Sequence, residues 1–82
     1  MKTNIFLTAI KNRNNLRFLY GITELMIEPY YITKEKSGKK VIYGRVKSTN
    51  EIRKFEYDKI SNIRVLNDVK FSPVIPIISQ VS

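Results

Sequence analysis

The chain has 82 residues, which allows one small domain with a modest core. It contains no cysteine and no histidine, so disulfides, thiolate zinc sites, thiol nucleophiles and the commonest general base are all excluded. Fifteen Lys and Arg against seven Asp and Glu give a net charge of +8 and a pI near 9.9, a balance that attracts polyanions.

Residues 3–12 read as a short helix. Thr3 or Asn4 can cap its start, and Ile5, Phe6, Ala9 and Ile10 fall on one face. The run Asn12-Arg13-Asn14-Asn15 ends it, because asparagine tolerates turn conformations. From Leu16 the apolar period becomes two, so Leu16, Phe18 and Tyr20 share one face of a strand. Gly21 then breaks the run and predicts a hairpin.

A second strand is expected over residues 25–32. Pro29 lacks an amide proton and should lie at an edge or a bulge. Residues 34–40 form a polar hairpin loop with Ser37-Gly38 at its tip, and residues 41–47 form a third strand. A turn at 48–51 leads to a fourth strand over 52–57, with Ile52, Lys54 and Glu56 opposite Arg53, Phe55 and Tyr57. Residues 58–61 suggest one helical turn, and Ile63, Val65 and Asn67 a fifth strand. The last residues, 73–82, form an extended apolar tail on a domain of residues 1–72. Phe71, Val74 and Ile77 are expected to pack onto the barrel or onto another copy.

One short N-terminal helix followed by five close-spaced strands predicts a mainly β fold. The size fits a strongly bent five-stranded SH3-like or Sm-like barrel. No stretch approaches the roughly 20 apolar residues of a membrane span, and no secretion signal is expected. A cytoplasmic location fits the lack of cysteine.

The chemistry points to binding. Seven carboxylates form no spaced motif, the three glycines are scattered, and no base stands ready for a Ser or Thr nucleophile. Neither enzyme activity, a metal nor a cofactor is expected. Residues 34–64 hold ten Lys and Arg against four Asp and Glu, a net +6 of the total +8. Arg45 and Lys47 alternate with Val46 and place cations beside Tyr43, which suits single-stranded nucleic acid. Lys54, Lys59 and Arg64 extend the basic track. Against this stands the plainer reading of solvated charges and core tyrosines, with Arg53 pairing Glu28 or Asp58.

Four segments in order carry a family resemblance. Leu16-x-Phe18-x-Tyr20 follows the helix, then come Glu28-Pro29-Tyr30, Gly44, and Arg53-Lys54-Phe55-Glu56-Tyr57-Asp58-Lys59-Ile60. Over residues 3–72 this resembles the WYL domain of bacterial regulators. The family's Trp-Tyr-Leu tripeptide falls at Lys40-Val41-Ile42, and Lys59 stands where the family usually has Arg. WYL domains are usually appended to a helix-turn-helix domain, and these 82 residues contain no recognisable one.

The resemblance implies an Sm-like or SH3-like barrel that senses nucleic-acid-derived or nucleotide-like ligands and regulates transcription through a partner. It implies Arg53 and Lys59 as ligand-contacting cations, with Tyr20 and Tyr30 nearby. The competing expectation is a protein-interaction or homo-oligomeric assembly module working through its tail and strand edges.

Overall fold

A computed structural model describes residues 2–70. Helix α1 (Lys2–Asn12) precedes β1 (Asn14–Tyr20), β2 (Thr23–Lys34), β3 (Lys40–Val46) and β4 (Ile52–Glu56). A single 3-10 turn (Tyr57–Lys59) leads into β5 (Ile60–Lys70). The five strands form one antiparallel sheet in the order β4-β3-β2-β1-β5. The apolar tail and the residues expected to pack from it, Phe71, Val74 and Ile77, lie outside the described residues.

The sheet is strongly bent. Strands β1 and β4 are three spacings apart, about 14 Å if the sheet were flat. Yet the Phe18 and Phe55 rings meet edge to face at 5.4 Å, and Tyr20 and Phe55 at 5.0 Å. The ends are tied as well. The Glu56 amide donates to the Tyr20 hydroxyl at 3.1 Å, and the Gly21 amide donates to the Lys59 carbonyl at 3.0 Å. The barrel therefore closes through the 3-10 turn, while among the described residues β4 and β5 keep one unpaired edge each.

Helix α1 covers the concave face. Phe6, Ala9 and Ile10 are buried, spaced three and four apart as a helical stripe requires. Phe6, Ala9, Leu16, Phe18, Ile27, Ile42, Val46, Phe55 and Ile60 make up the main core cluster. Ile5 is 37% exposed, so it leaves the predicted helix face. Thr3 does not cap the helix, which already begins at Lys2; its hydroxyl lies 3.3 Å from the Tyr57 hydroxyl. The left-handed residue at the helix end is Arg13 (φ 56), whose amide donates to the Ile10 carbonyl at 3.1 Å. The run at 12–15 does end the helix, but its left-handed residue is an arginine rather than an asparagine.

Pro29 lies at a bulge, as its missing donor demands, but in the central strand of the sheet rather than at an edge. The register slips between Pro29 and Tyr31, so Tyr30 is the extra residue. Gly44 sits opposite Pro29, where a Cβ would come within 2.7 Å of Ile27 Cδ1 and 2.8 Å of the Glu28 carbonyl oxygen. A second irregularity interrupts β5. Asn62 and Ile63 together stand across from Phe18, and Asn62 adopts a left-handed conformation (φ 53).

Candidate anion-binding surfaces

Register decides which predicted residues meet. Tyr43 pairs with Tyr31 on β2 and Lys54 on β4, and Arg45 pairs with Glu28 and Ile52. The Tyr31 and Tyr43 rings stack at 4.7 Å with 10° between their planes. This outer face carries Tyr43, Arg45, Lys47 and Lys54 together, as the alternation predicts. Its charge, however, is offset in part by two carboxylates, Glu28 and Glu35.

Glu28 is the reason. It is 2% exposed, and its carboxylate is fully engaged. Arg45 donates to Oε1 through Nε at 3.0 Å and Nη2 at 2.8 Å, and Lys47 Nζ donates to Oε2 at 3.1 Å. The Tyr30 hydroxyl lies 3.3 Å from Oε1, and Arg45 Nη1 also donates to Asn50 Oδ1 at 2.7 Å. Burial pushes the Glu28 pKa upward. The hydrogen bonds and charges of Arg45 and Lys47 outweigh it, leaving the carboxyl below its ordinary 4.5. The same contact with Glu28 holds the Arg45 guanidinium above its ordinary value. Lys54 is likewise raised, first by its hydrogen bond with Glu35. Arg45, Lys47 and Lys54 are therefore ion-paired rather than open cations.

Tyr30 is wholly buried and hydrogen-bonded to Glu28, so it offers no face for stacking a base. Tyr20 is half-buried and braces β4 through its hydroxyl. Burial removes Tyr30 as a ligand contact, whereas Tyr20 keeps part of its side chain exposed.

Arg53 stands across from Gly44, on the face of Ile42 and Phe55 and opposite to that of Tyr43. It is exposed, and its guanidinium carbon lies 5.1 Å from the Phe55 ring centroid. It pairs with neither Glu28 nor Asp58; Glu28 is already saturated. Lys59 is mostly exposed, with Nζ 4.0 Å from Glu56. Arg53 and the basic face of Tyr43, Arg45 and Lys54 thus lie on opposite sides of the sheet.

Two surfaces escaped the sequence reading. Three adjoining depressions of about 400, 260 and 280 Å³ share Tyr57 and Lys40. Lys2, Lys34, Lys39 and Lys40 line them, with Asp58 the acidic residue there. Lys2 donates to the Tyr57 carbonyl, and Lys39 lies 3.5 Å from Glu56. Lys34 and Lys40 face each other as direct cross-strand partners and form no ion pair among the described residues. The positive end of α1 opens here, with no acidic residue in its first turn. Lys39-Lys40 was a visible signal, but a loop lysine pair reads as solvation until a tyrosine is folded beside it.

The other surface is a groove of about 600 Å³ on the outer side of β1, β2 and β5, lined by Arg17, Leu19, Glu24, Asn62, Ile63 and Arg64. Alternation places Arg17 outward, but its β5 partner depends on the bulge. Among the described residues no cluster of acidic side chains could hold a metal ion, and no helix is long and apolar enough to cross a membrane.

No protein-family model matches the sequence, and neither does any curated protein. Among solved structures, the fold is similar to part of proteasome accessory factor B/C (PafBC) of Arthrobacter aurescens, with a TM-score of 0.79 and 19% identity. The match covers 87% of this chain and 12% of that one. The likeness is one of fold, and it supports the WYL-like, SH3/Sm-like barrel that the motif order implies.

Proposed function

We propose that this WYL-like barrel is a non-catalytic sensor module that holds a phosphate-bearing ligand in the lysine-lined depressions around Tyr57 and passes its occupancy to a partner. The ligand class is single-stranded nucleic acid or a nucleotide-like anion. The carrying observation is the Lys34 and Lys40 pair. Like charges directly opposite on adjacent strands are unfavourable, and neither lysine forms an ion pair among the described residues. An anion between them supplies the missing partner, and Tyr57 supplies a ring for stacking beside it. This places the ligand where the family carries its tripeptide, but with Lys40 in place of an aromatic residue. Arg53 lies outside these depressions and forms a separate rim cation.

Fluorescence anisotropy with labelled oligo-dT and with a labelled mononucleotide tests this. Binding near 50 mM salt is expected, weakening as salt rises. Replacing both Lys34 and Lys40 with Gln should flatten the salt slope by about 1.4 for a single strand, at roughly 0.7 per lost phosphate contact. An unchanged slope in that variant, or an effect seen only with Arg53→Ala, refutes the assignment. If the mononucleotide competes fully with the oligonucleotide, the ligand is nucleotide-sized.

One observation favours assembly as a second reading: among the described residues β4 and β5 are both unpaired edges, at opposite ends of the sheet. Strand addition between copies would satisfy both. Light scattering that finds a monomer at tens of micromolar rules it out.

A further inference from the structure

We infer that the outer groove of β1, β2 and β5 is a separate site for a phosphate monoester, held between Arg17 and Arg64. This rests on different residues from the lysine surface and stands or falls without it.

Arg17 and Arg64 are direct cross-strand partners, so both side chains leave the same face of the sheet. The two cations oppose each other where an arginine and a glutamate would stabilise the pairing. Neither forms an ion pair among the described residues, although Glu24 lines the same groove. Strand β5 departs from regular pairing just here. Asn62 is left-handed, and the bulge it begins sets two residues against one. Bulges re-aim side chains beside sites and raise local twist. The result is a depression of about 600 Å³ beneath two unpaired guanidiniums.

The ligand class follows from the lining. A guanidinium presents a planar fork of donors that grips two oxygens of a tetrahedral oxyanion. Two forks on neighbouring strands suit a doubly charged phosphate group better than a singly charged anion. Leu19 and Ile63 are half-buried and give the ester's organic part an apolar floor. Glu24 can accept from an amine or hydroxyl of that part. Its charge also repels a second phosphate, so the groove selects monophosphates over diphosphates and over a continuous nucleic-acid backbone.

The test is a backbone-amide NMR titration of the full chain at fixed ionic strength, with inorganic phosphate, AMP and ADP as probes. Saturable shifts are expected at Arg17, Leu19 and residues 62–64, with AMP bound more tightly than ADP. Arg17→Gln and Arg64→Gln should each weaken AMP about tenfold, the scale of one lost charge-assisted contact. Glu24→Gln should narrow the gap between AMP and ADP. Phosphate should raise the melting temperature of the wild type by more than that of the double arginine variant. Undiminished AMP-induced shifts at residues 17, 19 and 62–64 in the double variant overturn the site. So do shifts confined to residues 34–40, or equal shifts with sodium chloride alone. Lys40→Gln should leave AMP binding in this groove intact, which separates failure here from failure of the lysine surface.

Discussion

Glu28 and Gly44 explain most of what the motif residues do. Glu28 is a buried carboxylate that joins β2 to β3 and to the turn before β4 through Arg45, Lys47 and, by way of Arg45, Asn50. Its pKa lies below the ordinary 4.5, so the cluster's stability is complete at neutral pH. That stability is lost as pH falls from the ordinary glutamate value through the lower folded one. Acid unfolding followed by circular dichroism should therefore be shallower between pH 5 and pH 3 in Glu28→Gln than in the wild type (the window is approximate, set by the ordinary glutamate range). The variant should also be less stable at pH 7, because Arg45 and Lys47 lose their shared partner. Gly44 is required for space. In Gly44→Ala the Ile27 methyl can move aside, but the Glu28 carbonyl belongs to the β2–β3 ladder. A loss of about 1–3 kcal/mol is expected in urea unfolding, the usual range for overpacking.

At the scale of elements, like charges face each other across the β2–β3 hairpin, as Lys34 and Lys40, and beside the β5 bulge, as Arg17 and Arg64. Lys34→Glu converts a repulsive cross-strand pair into an attractive one. It should stabilise the domain by about 0.2–1 kcal/mol, measured by thermal melting, and at the same time weaken oligonucleotide binding. Asn62 holds a left-handed conformation that asparagine adopts readily and a β-branched residue does not. Asn62→Val should cost about 1–2 kcal/mol, while Asn62→Gly is tolerated. A Val variant as stable as the wild type would mean that the bulge does not depend on this residue. The helix and the five strands were legible in outline, and the Leu16-Phe18 and Phe6-Ala9-Ile10 spacings bury as periodicity requires, whereas β2 buries four residues in a row. The bulges were not legible, apart from the warning given by Pro29, because a bulge depends on what the neighbouring strand presents.

For the whole molecule, net charge and charge placement act separately. The +8 total is a property of composition, and self-repulsion at this charge should make moderate salt raise the melting temperature while it weakens anion binding. The two trends should be measured on one sample. A salt-insensitive melting temperature would mean that the ion pairs already balance the field. The sequence by itself determined the mainly β barrel with its N-terminal helix, the absence of His and Cys chemistry, and the basic stretch at 34–64. These follow from local periodicity and composition, which need no knowledge of partners distant in the chain. Only the tertiary structure decided which cations are spent and which are open. Glu28 meets Arg45 across 17 positions, and Arg17 meets Arg64 across the β1–β5 pairing at one edge of the sheet. Cross-strand register sets those meetings, and register is fixed by how the whole sheet bends around its core.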